Sequence, residues 1–180
     1  MSIVIPLTQG KTAIVDACDI DLCKSKWMFQ HRYATRAIKR DEKRIIISMH
    51  RLIASRILGR ELLDKETVDH INGIGTDNRR ENLRVCSIQD NQKNKRKYRN
   101  NTSGYKGVRV TRKGKYAAAL GMKPKNAYLG QFDTAREAAL AYDEAARKHF
   151  GEFANLNFPE ITDYPVRRPI KRRVRKSKSE

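Results

Sequence analysis

The chain has 180 residues, enough for one ordinary domain or two small ones. It carries 39 Lys+Arg against 20 Asp+Glu, a formal net charge of +19, so the expected partner is a polyanion, nucleic acid before others. No apolar run approaches the ~20 residues needed to span a bilayer, and Met1 to Leu7 is too short for a secretory leader, so a membrane partner is not expected. Cys18, Cys23 and Cys86 are scattered and form no Cys-x-x-Cys pair. That argues against structural zinc and for free thiols in a reducing cytoplasm.

In chain order, residues 1–60 read as short strands followed by a helix. "KTAIVD" and "RYATRAIKR" alternate in part, and "KRIIIS" is a β-branched run. "RDEK" supplies a polar turn, which predicts a hairpin from Tyr33 to Ser48. "HRLIASRIL" then spaces Leu52, Ile53, Ile57 and Leu58 for a helix, with Gly59 as its stop. Trp27 is expected in the core of this segment.

Residues 61–100 hold the most informative stretch, "VDHINGIGTDNRRENLRVCSIQDNQKN", and a basic linker. "VDHI" predicts a strand, "NGIGTDN" a turn or loop, and "NLRV" a second strand. Ser87 and Asp90 form a helix-start signal, which predicts a helix over Gln89 to Lys97. "NKRKYRNN" reads either as a linker lying along phosphates or as a solvated helix end.

Residues 101–158 open on the turn-rich "NNTSGY". "KGVRVT", "KYAAALG" and "NAYLGQF" predict three strands, joined by turns at "RKGK" and "MKPK". Thr134 and Glu137 predict a capping box. Ala135, Ala138, Ala139, Tyr142, Ala145, Ala146 and Phe150 then recur at helical spacing, up to Gly151. Small residues on that face would let the helix pack close to a three-stranded sheet. Residues 159–180 include "RRPIKRRVRKSKSE", a basic tail expected to be disordered alone. It reads as a solvated tail, as a phosphate-binding arm, or as a nuclear-import signal.

The chemistry lies in the second segment. Hydrolysing a phosphodiester requires a base for water, a cation for the charge on phosphate and leaving oxygen, and alignment of the parts. Adjacent residues on a strand face opposite ways, so Asp69 and His70 would have different roles. His70 can take a proton from water near neutral pH. Asp69 offers a hard anionic oxygen suited to Mg²⁺, and Asn91 an amide oxygen from the helix. Asn91 and Asn94 stand three apart on one helix face, so each reads either as the ligand or as a merely exposed residue. Asn82 can hydrogen-bond backbone across the loop and orient His70.

This constellation, with "MHRLIA" upstream, resembles the HNH homing endonucleases, the ββα-metal nucleases. The resemblance implies that His70 is the general base, Asp69 a metal ligand, Asn82 the middle asparagine that braces the motif, and Asn91 the last ligand. It implies one divalent ion per site, Mg²⁺ or Mn²⁺. Many such enzymes have histidine where Asn91 stands; asparagine there resembles the phage intron-encoded branch. His50 is expected to pack or to orient rather than to catalyse.

Residues 103–159, through "SGYKGVRV", "GKYAAAL" and "YLGQFDTAREAALAYDEAARKHFGEFANLNFP", resemble the plant ethylene-response-factor (Apetala-two) DNA-binding domain. In that family the sheet enters the major groove and the helix braces it. By position, Lys106, Arg109, Lys115 and Tyr128 would lie on or beside the reading face, with Arg112 and Lys113 in the first turn. Lys113 and Tyr128 replace tryptophans of the plant pattern, Ala119 an acidic reader, and Gly121 an arginine. The fusion resembles HNH endonucleases of phages and bacteria.

The expected fold class is therefore α+β: an HNH ββα module, then a three-stranded antiparallel sheet on one helix, with a basic tail. The expected function is a site-specific endonuclease on double-stranded DNA, a homing-type nicking enzyme, with no protein partner inferred and a homodimer only where both strands are cut. A DNA-binding regulator with a vestigial nuclease motif is the alternative. An RNA-binding protein fits the charge, but the sheet lacks the paired aromatics that stack bases.

Overall fold

The computed structural model describes residues 1–95, 97, 100–122 and 126–162. The chain divides into two compact units, Met1–Asn94 and Lys95–Glu180. The first sequence segment and the second as far as Asn94 thus share one unit, and the rest of the basic linker falls in the other. Residues 123–125 of the "MKPK" turn, most of the tail, and Arg96, Tyr98 and Arg99 of the basic linker lie outside the described residues.

The first unit opens with β1 (Ser2–Pro6) paired antiparallel to β2 (Thr12–Asp16). A 3-10 stretch, Ala17–Lys24, leads to β3 (Met28–Gln30), β4 (Tyr33–Arg40) and β5 (Lys43–Ser48), which form an antiparallel sheet in the order β3-β4-β5. The predicted hairpin is β4–β5, with Arg40 opposite Lys43 at its tip. β1 and β3 lie in stretches that carried no strand prediction.

Helix α1 (Met49–Leu58) follows, ending at Gly59, the predicted stop, which takes the left-handed conformation. Its buried face is Met49, His50, Ile53 and Ala54, whereas Ile57 and Leu58 are exposed. The i,i+4 pairs Met49/Ile53 and His50/Ala54 point at the core, and the last turn runs past it. β6 (Glu66–His70) and β7 (Leu83–Ser87) form a two-stranded antiparallel sheet, and α2 (Ile88–Lys93) follows directly. Ser87 caps α2, its Oγ accepting from the Asp90 amide at 3.1 Å. The helix is shorter than predicted because the chain leaves it at Asn94.

One hydrophobic core unites the unit. Trp27, Met49, Ile53, Val68 and Leu83 belong to the same buried cluster. Trp27 is buried as expected and donates from Nε1 to the Leu22 carbonyl at 2.9 Å. A buried ion-pair cluster ties distant parts together. Asp19 is fully buried and accepts from Arg80 Nε at 2.8 Å and from an Arg56 nitrogen at 2.9 Å. Asp16 accepts from the Arg80 amide at 2.7 Å.

The second unit is a three-stranded antiparallel sheet of β8 (Val108–Val110), β9 (Tyr116–Leu120) and β10 (Ala127–Phe132), in the order β10-β9-β8. Helix α3 (Ala135–Phe150) packs on it. The capping box of Thr134 and Glu137 is present. Ala138, Ala139 and Ala146 are fully buried against Val108, Ala118, Leu120 and Phe132. At Gly107 the backbone has φ +74°, and a Cβ there would fall 1.9 Å from the Tyr142 ring. Buried Asp143 accepts from the Asn157 and Phe158 amides at 2.9 and 2.7 Å, fastening the segment after α3 to the helix. Among the described residues no helix is long and apolar enough to cross a membrane. Cys18, Cys23 and Cys86 are free thiols.

Two variants test this packing. Asp19→Ala leaves two guanidiniums without their shared carboxylate. It should cost about 2–3 kcal/mol in urea unfolding, below the 3–5 of fully buried pairs because both arginines keep partial solvent access. Burial works to raise the pKa of Asp19, but its bonds to Arg80 and Arg56 outweigh that and hold it below the ordinary value. Its contribution is therefore complete above the unfolded aspartate value, about pH 4, and is lost as pH falls below it. Wild type should lose stability in that window and Asp19→Ala should lose less. Gly107→Ala combines a left-handed backbone with overlap on Tyr142 and should destabilise the second unit by about 2–4 kcal/mol.

Candidate active site and nucleic-acid interface

Pairing of β6 with β7 sets the site. Asp69 lies opposite Arg84, and His70 opposite Leu83. Alternation then sends Asp69 and His70 to opposite faces, as the sequence implied. Both are buried.

On one face, Asp69 Oδ2 accepts from Arg84 Nε at 2.9 Å and from a second Arg84 nitrogen at 2.7 Å. Asn94 Nδ2 donates to both Asp69 oxygens, at 3.0 and 2.9 Å, and to the His70 carbonyl at 2.9 Å. The asparagine that reaches Asp69 from α2 is thus Asn94, at the end of the helix. Asn91 is half-buried one turn earlier, with its backbone amide turned to the Cys86 sulfur. Of the two asparagines on this helix face, the structure brings Asn94 to the carboxylate.

On the other face, His70 sits among rings. Its imidazole centroid is 5.1 Å from that of His50, edge on, and 5.7 Å from the Tyr33 ring. Tyr33 and His50 are 4.8 Å apart. Burial above all pushes His50 down to about 3, so this ring is neutral. Its buried Nδ1 has no hydrogen-bond partner among the described residues. His50 packs on His70, which agrees with the role expected for it. Burial also lowers the pKa of His70, outweighing the opposing effects of Asn78, Asp69 and Asp77. A neutral imidazole follows, the form able to accept a proton.

The loop between β6 and β7 is tied by amides. Asn82 Oδ1 accepts from the Asn72 backbone amide at 3.0 Å, while its Nδ2 donates to Asn72 Oδ1 at 3.1 Å and to the Asp77 carbonyl at 2.7 Å. Asn82 therefore spans the loop as expected. The side chain bonded to the His70 ring is another one: Asn78, whose Oδ1 lies 3.3 Å from His70 Nε2. Asp77 is clamped by Arg79, which holds its carboxyl below the usual range. Gly75 lets this loop meet the β3–β4 turn, since a Cβ there would lie 2.4 Å from the Arg32 carbonyl oxygen.

Asn78, Arg84 and Tyr33 escaped sequence reasoning as site residues, and Asn94 was read only as one of two candidates. Arg84 was legible in principle, because a β6–β7 register places it opposite Asp69. Asn78, inside a polar loop, carried no periodic signal.

Fit to a divalent ion can be judged from the donors. Among the described residues no group of three His, Cys, Asp or Glu side chains stands ready to hold a metal. One carboxylate with one carboxamide beside it is a sparse set. Mg²⁺ accepts such sets, because phosphate oxygens and water complete its shell. The Arg84 guanidinium already supplies positive charge at Asp69, so an ion there must share the carboxylate or displace it.

In the second unit, Val108, Ala118, Leu120 and Phe132 face α3, so alternation turns Arg109, Ala117, Ala119 and Tyr128 to the outer face. Arg109 and Tyr128 are exposed there, above a floor of alanines. Arg112 and Lys113 are exposed in the β8–β9 turn, which closes with the Gly114 amide donating to Thr111 at 3.0 Å. Lys115 is half-buried and ion-paired with Asp133. Lys106 departs from this group. Its Nζ lies 5.9 Å from the centre of the Tyr142 ring, and burial lowers it to about 8. Lys106 therefore packs against α3 instead of standing on the outer face.

Comparison with known proteins bears on both units. The family model of the HNH endonucleases matches residues 48–93, from the end of β5 through α2. The chain is 53% identical over 64 residues to dehydration-responsive element-binding protein 2D of Arabidopsis thaliana, covering 34% of this chain and 31% of that protein. It is 47% identical over 66 residues to protein 2C of the same series and plant, covering 36% and 19%. Over 82 residues it is 43% identical to ethylene-responsive transcription factor 1 of Solanum lycopersicum, covering 42% and 34%. The chain thus spans about a third or less of the length of these relatives. No solved structure matches it. The two kinds of match are consistent with an HNH module joined to an ERF-type module.

The geometry at Asp69 separates the two asparagines. Asn94→Ala removes donors from a buried carboxylate and from the His70 carbonyl, and should cost about 1–3 kcal/mol in denaturant unfolding. Asn91→Ala should stay within about 0.5 kcal/mol of wild type.

Proposed function

We propose that this protein is a site-specific DNA endonuclease of the homing type that nicks one strand. The observation that carries this reading is a buried, neutral His70 next to Asp69 on one strand, within the 48–93 segment that matches the HNH endonucleases. His70 takes a proton from the attacking water. Asp69, with an amide oxygen from Asn91 or Asn94, would hold a divalent ion, Mg²⁺ or Mn²⁺, which when bound would stabilise negative charge at the phosphate. Asn82 keeps the loop closed around the site. Arg84 holds the Asp69 carboxylate in place on β6.

The second unit supplies recognition of double-stranded DNA in this reading. Its relatives are named as an element-binding protein and a transcription factor. Arg109 and Tyr128 stand on the outer sheet face, where side chains reach base edges, and Arg112, Lys113 and Lys115 grip phosphates. Lys106 contributes charge from beside that face. By family resemblance the products carry 5′-phosphate and 3′-hydroxyl ends. One HNH motif per chain makes one cut, and a double-strand break needs a second chain or a second binding event.

One observation favours the second reading, a DNA-binding regulator with a vestigial nuclease. Asp69 is already neutralised by Arg84. Supercoiled plasmid incubated with Mg²⁺ decides between the two. Wild type should relax it, and His70→Ala should be slower by about 10²–10⁴-fold, while both retard DNA equally in a gel. Equal rates in the two proteins remove His70 from the chemistry. Complete inactivity of wild type with DNA binding intact establishes the regulator. Binding should fall with salt at a slope of about 0.9 per phosphate contact, and a flat response contradicts the role of the basic groups.

A further inference from the structure

We propose that Asn78 fixes the tautomer of His70, so that Nδ1 is the nitrogen that receives the proton. This deepens the reading of His70 as the base and rests on it. Asn78 is completely buried. Its Nδ2 lies 3.2 Å from the Thr76 carbonyl oxygen and 3.4 Å from Met49 Sδ. A carbonyl oxygen only accepts, so the Thr76 contact settles which end of the amide faces it. Oδ1 is then the end that faces His70 Nε2, at 3.3 Å. An amide oxygen also only accepts, so Nε2 must carry the hydrogen. A neutral imidazole has one N–H, and the lone pair is therefore on Nδ1. The reverse tautomer would set two acceptors face to face in a buried place.

The backbone makes this lock stiff. The Asn78 amide donates to the Ile14 carbonyl at 2.7 Å, and the Ile14 amide to the Thr76 carbonyl at 2.9 Å. Residues 76–78 are thereby stitched to β2. His50 and Tyr33 bracket the ring from two other sides. When Nδ1 accepts a proton, the Nε2–H to Asn78 bond persists, so nothing on this side of the ring has to reorganise. Asn78 touches neither water nor phosphate in this scheme and is a positioning residue. Asn82 has no part in the lock, because its bonds go to Asn72 and Asp77.

Long-range ¹H–¹⁵N correlation on the full chain at about pH 8 reads the tautomer directly, with His70 assigned by its loss in His70→Gln. The expected spectrum has a pyrrole-type nitrogen at Nε2 and a pyridine-type nitrogen at Nδ1. The reverse pattern, or an averaged one, overturns the proposal without any Asn78 variant. Asn78→Leu should give a mixture of tautomers and nick about 10–100-fold more slowly at unchanged DNA affinity. Asn78→Asp retains an acceptor and should retain the Nε2–H form. A folded Asn78→Leu protein with wild-type tautomer and rate overturns the proposal. If that variant does not fold, the wild-type and Asn78→Asp spectra decide. A locked Nε2–H ring in a chain that never nicks DNA supports the lock and refutes the nuclease reading, so the two fail separately.

Discussion

The register of β6 against β7 governs the first unit. Because side chains alternate along a strand, pairing His70 with Leu83 commits Asp69 to the opposite face, across from Arg84. A slip of one residue would send the imidazole to the charged side and the carboxylate among rings. Neither could then find its partner, since one face offers cations and amides and the other offers Tyr33, His50 and Met49. The hydrophobic cluster enforces the register by burying Val68 and Leu83 with Trp27 and Ile53. Chemistry at the site is thus held by the same apolar burial that holds the fold.

Around that register the protein relies on amides more than on charge. Asn72 and Asn82 spend both ends of the side chain on the loop, whereas Asn78 and Asn94 bond backbone carbonyls and also reach the His70 ring and the Asp69 carboxylate. An amide both donates and accepts, so it can satisfy buried carbonyls without bringing a charge that must itself be neutralised. Burial, working against the Asn78 bond and the nearby carboxylates, keeps the His70 ring neutral in a chain that is strongly basic elsewhere. The ionic cluster of Asp19, Arg56 and Arg80 stands apart from the rings and does a different job, fixing the short turn before β7 to the 3-10 stretch and to α1.

Much of this could be read in the sequence, for identifiable reasons. β6, β7 and the start of α2 were legible because alternation and a Ser-capped helix start are local signals. The second unit was legible because its alanine face and capping box lie within one helix. β3 was not, since its hairpin turns through His31 and Arg32, both left-handed and neither glycine, so no turn signal marks it. The asparagine at the site was legible only as one of two, Asn91 or Asn94. What selects Asn94 is its bond to Asp69, a tertiary contact that helix spacing does not reveal. Lys106 read as a surface cation because its stem and its Tyr142 neighbour are far apart in sequence.

Asn94 is also the last residue of the first unit, and Lys95 the first of the second. The covalent thread between the units therefore leaves from a side chain that clasps Asp69. The residue at which the first unit ends is thus the one whose amide holds the carboxylate of the site.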